Sequence, residues 1–130
     1  PQLLESFLQP LVDAGVDAFH CSQRRFWEPE FEGSDMNLAG WVKKLTGMPT
    51  ITVGSVSLDQ DFISQTSEGD GAESKPASID RLLEMLDRGD FDLVAVGRAL
   101  IANPDWPKVV RSGNTAGLQA FNKDLLAELA

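Results

Sequence analysis

The stretch from Phe91 to Pro107 reads FDLVAVGRALIANPDWP, and the architecture of the chain follows from how it is read. Leu93-Val94-Ala95-Val96 is a short apolar run rich in β-branched residues, of the length and type of a buried strand. The run stops at Gly97-Arg98 and gives way to Ala99-Leu100-Ile101-Ala102, which suits a helical turn. Pro104 ends that turn, and Asp105 is placed to cap the helix after it. A strand that ends in glycine and opens into a helix presents backbone N–H groups, which a phosphate can use. Gly97 keeps Cβ out of the way of a close ligand, and Arg98 adds a fixed charge with a planar fork of donors. An isolated Gly-Arg pair is more often a tight turn beside a solvated cation, so the pair alone does not make a site.

Upstream, helix-like and strand-like segments alternate. Gln2 to Ala14 carries Leu3, Leu4, Phe7, Leu8, Leu11 and Val12 at helical spacing, disturbed by Pro10 and ended by Gly15. Strands are expected near 16–21, 50–53 and 93–96, the second ending at Gly54-Ser55-Val56. Helices are expected over 36–46, closed by Gly47, and over 79–86, ended by Gly89. Two more are expected from Asp105 to Arg111 and near Asn122 to Leu129. Residues 58–77, whose centre is Gly- and Ser-rich and acidic, read as a long mobile loop. The order α-β-α-β-α-β-α calls for an α/β fold with parallel strands and right-handed crossovers. The 130 residues are expected to form a single segment.

VGRALIANPDWP resembles the last strand and phosphate-binding turn of the old yellow enzyme family, the FMN-dependent ene-reductases. The piece LVDAGVDAFHCS, a helix, a glycine and a strand, is likewise similar to a recurrent part of flavin-dependent barrels. The resemblance covers nearly the whole chain but only the C-terminal part of the family's TIM (β/α)8 barrel. It implies that residues 11–22 hold the sixth strand, 49–56 the seventh and 91–98 the eighth. Three strands cannot close a barrel that takes eight. It also implies that FMN is the cofactor, with its phosphate held by Gly54, Ser55, Val56, Gly97 and Arg98. In barrels of this kind the loops after strands seven and eight often form a phosphate site, so two neighbouring glycine-ended strands fit that role. Ser55 is a mild departure, since the family often has another small residue there.

The activity implied is reduction of the C=C bond of α,β-unsaturated carbonyl compounds, enones or enals, with NAD(P)H as reductant. The family's substrate-carbonyl donors and its Tyr proton donor lie in N-terminal portions that are not in this sequence, and the chain contains no Tyr. No catalytic residue is therefore expected in this segment, and activity would need a partner chain or longer parent carrying the rest of the barrel. Two alternatives stay open: a related flavin barrel such as the dienoyl-CoA reductases, and a non-catalytic half-barrel that self-associates to cover its sheet edges.

The loop from Ser22 to Asp35 would overhang the same face. Phe26 and Trp27 are candidates for the substrate pocket, and a partly buried loop with snorkelling Arg24 and Arg25 is an equal alternative. His20 is expected to be packed and hydrogen-bonded, and Cys21 buried and inert. Trp106 and Phe121 read as packing residues. Asp87, Asp90 and Asp92 read as solubilising charges. Glu68, Asp70 and Glu73 lack the ligand order of a calcium loop and read as a solvated acidic group.

Composition narrows the field further. Hydrophobic residues make up 42% and charged residues 24%, an ordinary balance for a globular chain. A net charge of −9 argues against nucleic acid and anionic membranes as partners. Any anion site must then be a local exception with its own cation. One Cys and one His exclude an internal disulfide and do not support a zinc site, and the cysteine usage fits the cytoplasm. No apolar run approaches a bilayer span, no basic leader precedes the first helix, and the first residue is Pro, as expected of a trimmed product or a piece of something larger.

Overall fold

A computed structural model describes residues 1–59 and 73–129. These fall into two compact units: Pro1–Gly54 with Asp80–Ala95, and Ser55–Ile79 with Val96–Ala130.

The first unit starts with helix α1, Gln2–Asp13, which runs through Pro10 without a break. Its end follows from Gly15, whose φ of +89° is open to glycine at little cost. There the Gly15 amide donates to the Val12 carbonyl and the Val16 amide to the Leu11 carbonyl, closing the helix in a Schellman motif. Val16 is thereby spent on the helix end. That is why strand β1 is Phe19–Ser22 rather than the expected 16–21. Its first ladder bond runs from the Phe19 amide to the Pro49 carbonyl.

Helix α2, Leu38–Thr46, starts two residues later than its apolar pattern implied, because Asn37 is its cap. The Asn37 side chain accepts from the Gly40 amide at 2.9 Å. Gly47, with φ +67°, ends the helix. Strand β2 is Thr50–Val53, as its sequence predicts. Helix α3, Asp80–Asp87, ends at Gly89 in a second Schellman motif, the Asp90 amide reaching the Met85 carbonyl. Strand β3 is only Leu93–Val94, with the Ala95 amide still donating to the Thr52 carbonyl.

The three strands form a parallel sheet in the order β1-β2-β3. His20, Ile51 and Leu93 share one row of the register, and Cys21, Thr52 and Val94 the next. Cys21, Thr50 and Thr52 are buried, with Ala39 and Val42 of α2 and Leu82 and Met85 of α3 also in the core. The other rows point the opposite way, and there His20 is exposed and Leu93 is 60% exposed. His20 is therefore not the packed histidine that the sequence suggested.

Asp90 and Asp92 are not simple solubilising charges, whereas Asp87 is exposed. Asp92 accepts from the Thr50 amide at 2.9 Å and from Lys43 Nζ at 2.7 Å, so it closes the open N-terminal end of β2. The Asp90 side chain is 4% exposed and meets the Arg88 guanidinium, which also holds Asp35 at 2.7 Å.

In the second unit, helix α4 is Arg98–Ala102 and helix α5 is Trp106–Ser112, followed by a 3-10 helix, Lys123–Leu129. Asp105 stands at the start of α5, but its side chain makes no capping bond; its carbonyl accepts from the Lys108 and Val109 amides instead. Both ends of the stretch expected to be a mobile loop are paired. Leu58 bridges Pro76, and Ser74 bridges Phe121, each antiparallel. The middle of that stretch, with Glu68 and Asp70, lies outside the described residues. Val56, Leu58, Ala99, Trp106 and Phe121 make the apolar core of this unit.

Candidate functional site

The second unit gathers polar groups around one cation, Arg98. Its Nη1 donates to Ser74 Oγ at 2.8 Å and its Nη2 to Ser55 Oγ at 3.3 Å. Beneath them the Phe121 ring centroid lies 5.9 Å from the guanidinium carbon, within cation–π range. A hydroxyl that accepts from a guanidinium turns its own proton away from the cation. The cluster therefore sets a fixed positive charge beside two hydroxyl groups.

Local backbone sets this geometry. Ser55 and Ser57 both have positive φ, +52° and +63°, in the left-handed region that non-glycine residues enter at a cost. The Leu58 amide donates to the Ser55 carbonyl and the Ala77 amide to the Ser57 carbonyl, which holds the turn in that shape. Strain kept at a turn whose hydroxyl meets an arginine is typical of a functional loop rather than of a plain connection.

Gly97 precedes α4 and is solvent-exposed, and a Cβ built there would meet no atom within 4 Å. Its φ of −103° lies outside the left-handed region, and no neighbouring atom requires a glycine there. The exposed main chain beside Arg98 leaves room for a ligand to approach closely. Gly54 is different. It belongs to the first unit, has φ +142°, and a Cβ there would stand 2.4 Å from the Gln23 carbonyl oxygen. Glycine is required at 54 by the neighbouring chain.

Of the residues singled out from the sequence, Ser55 and Arg98 are in hydrogen-bond contact, and Val56 and Gly97 lie in the same unit. Val56 is buried, so only its main chain can face a ligand. Phe26 and Trp27 are in the first unit, where their rings stack edge-on at 5.1 Å. Phe26 is 2% exposed and Trp27 half-buried, so of the two only Trp27 offers appreciable surface. Arg25 pairs with Glu28 at 2.8 Å. Cys21 is buried, and burial pushes its thiol up to about 11, which keeps it protonated near neutral pH.

Three residues of this framework were not legible as such. Ser74 lies inside the stretch that reads as a loop, and Phe121 carries only a packing signal. Asn37 sits at the edge of an apolar run, where Asn is a recognisable cap, but its buried contacts are tertiary. Its Nδ2 donates to the Phe26 carbonyl and to Thr52 Oγ1, both at 3.0 Å. Among the described residues no cluster of three or more His, Cys, Asp or Glu could hold a metal ion, and no helix is long and apolar enough to cross a membrane.

No protein-family model matches the sequence. The chain is 34% identical over 111 residues to an NADH oxidase from Thermoanaerobacter brockii, an alignment that takes in 79% of this chain. It spans 14% of that relative's length.

Proposed function

We propose that this chain is the phosphate-anchoring portion of an FMN-dependent NAD(P)H oxidoreductase, the C-terminal βα units of a (β/α)8 barrel. The observation that carries the reading is the Arg98 guanidinium, held between the hydroxyls of Ser55 and Ser74 next to the exposed Gly97 main chain. In a chain of net charge −9, a fixed cation with hydroxyl neighbours is the local exception that an anionic ligand needs. The similarity to an NADH oxidase supports a nicotinamide-dependent redox activity, and the parallel βα order supports the barrel.

The residues fit the phosphate end of the flavin nucleotide. Arg98, the Ser55 hydroxyl and the main chain of Ser55, Val56 and Gly97, all in the second unit, would hold it. FMN, when bound, supplies the redox chemistry, and the protein supplies placement and charge. The substrate class we assign is activated alkenes, enones or enals. The chain has no Tyr to act as a proton donor, so turnover needs the remaining strands, from a partner chain or a longer parent.

The test is a flavin titration, with the chain alone and with a chain carrying the preceding barrel strands. We expect FMN to bind more tightly than riboflavin, which lacks the phosphate, and Arg98→Ala to erase most of that difference. A charge-assisted bond of about 1.5–3 kcal/mol corresponds to roughly 10- to 150-fold in affinity. Equal binding of the two flavins would overturn the reading. Turnover by the chain alone would overturn its dependence on the rest of the barrel.

A second reading, a non-catalytic half-barrel that pairs with itself, rests on the first unit's open surface: Leu3 is 88% exposed, Phe7 67% and Leu93 60%. A colourless homodimer in sedimentation, with no flavin absorbance, would favour it.

A further inference from the structure

An arginine discriminates an anion well only when its planar fork is already aimed, because otherwise binding must first order a long side chain. Around Arg98 the second unit contains a closed circuit of contacts that does this. Arg98 Nη1 donates to Ser74 Oγ at 2.8 Å, and Ser74 is fully buried. The Ser74 amide donates to the Phe121 carbonyl at 2.8 Å, and the Phe121 amide returns a bond to the Ser74 carbonyl at 2.9 Å. Phe121 is itself buried, with its ring against the guanidinium. Two residues earlier, Gln119 is clamped by buried Asn103, whose Oδ1 accepts from the Gln119 amide and whose Nδ2 donates to the Gln119 carbonyl. Asn103 Nδ2 also donates to the Ala99 carbonyl, in the helix that Arg98 opens. The path leaves Arg98 through its side chain and comes back to it through its own helix.

We propose that Ser74, backed by Phe121, is a positioning residue. It fixes the plane of the Arg98 guanidinium and so sets how strongly the protein distinguishes a flavin carrying a terminal phosphate monoester from one without. The inference rests on the phosphate-anchoring reading above. A serine in this place does two jobs: its hydroxyl anchors Nη1, and its main chain holds the residue whose aromatic ring lies against the cation. Alanine keeps the main-chain bridge and removes only the hydroxyl. Ser74→Ala therefore tests the aim of Arg98 without cutting the strap.

The experiment measures FMN and riboflavin affinities side by side, in the state in which the wild-type protein binds FMN, alone or with its complementary chain. Ser74→Ala is expected to weaken FMN by about three- to tenfold, the range of one lost intramolecular hydrogen bond, and to leave riboflavin within about twofold. Phe121→Leu, which keeps an apolar core, is expected to show the same selective loss. Added inorganic phosphate should compete with FMN less effectively in both variants than in the wild type. Equal weakening of both flavins would mean a merely structural serine and overturn the proposal, as would an unchanged FMN preference in Ser74→Ala. Wild-type protein with no preference for FMN would instead overturn the anchoring reading beneath it, and the two failures are told apart by that wild-type control.

Discussion

Gly54 and Asn37 each hold part of the first unit in place. At Gly54 a methyl group faces both a φ of +142° and a carbonyl oxygen 2.4 Å away, and the carbonyl is main chain that cannot rotate aside. Gly54→Ala is expected to destabilise the protein by about 2–4 kcal/mol, read as a lower urea midpoint with unchanged slope. Asn37 caps α2 and satisfies two buried acceptors with its amide nitrogen. Asn37→Ala removes the cap and strands those groups, for roughly 2–4 kcal/mol. Cys21 gives a check that does not alter the sequence. With its thiol raised to about 11, alkylation by iodoacetamide should be slow in the folded state and become fast on unfolding. Fast labelling of the native protein would contradict its burial.

At the scale of elements, the edge of the sheet is tied by charge. Lys43 of α2 and the Thr50 amide hold the Asp92 carboxyl below its ordinary value, the lysine being the larger cause. Arg88 and then Arg81 do the same for Asp35. For a carboxylate depressed in the folded state, the stabilisation is present above its unfolded value, 3.8 here, and is lost as pH falls through the folded one. Stability should thus fall on the acid side, and Asp92→Asn should flatten that limb when urea midpoints are compared between neutral pH and about pH 2.5. An acid limb of equal steepness in the variant would refute the role of Asp92. Arg88→Ala leaves the nearly buried Asp90 carboxylate without its guanidinium. Because Arg88 is itself 41% exposed and water can enter, the expected loss is only about 1–2 kcal/mol.

Across the described residues runs a three-stranded parallel sheet with one covered face and one row that includes exposed His20 and Leu93. Parallel sheets are normally covered on both faces. On α1, Leu3, Phe7 and Leu11 repeat every four residues and are all exposed, while Leu8 alone is buried. Exposed apolar surface of this kind commonly marks a site of association. Phe7→Lys combined with Leu93→Lys should lower concentration-dependent association in sedimentation, with little change in unfolding midpoint because both positions are already in water. Unchanged association would show that these faces are not the ones that associate.

Periodicity and punctuation in the sequence determined a good deal. Apolar spacing marked α1 and α2, glycines at 15, 47 and 89 marked helix ends, and the β-branched run at 50–53 marked β2, because these signals act within one turn or one strand. Gly97 and Arg98 by themselves read as a plain turn beside a solvated cation, and only the resemblance to a flavin family raised the expectation of a phosphate there. Tertiary structure alone decided the rest. Ser74 and Arg98 are 24 residues apart, and Asp92 reaches Thr50 across 42. Nothing in either local stretch encodes such a meeting, since a hydrogen bond between distant residues exists only after the backbone has brought them together. The short β3 and the late start of β1 have the same origin: ladder bonds and helix caps compete for the same amides, and the winner is settled by packing.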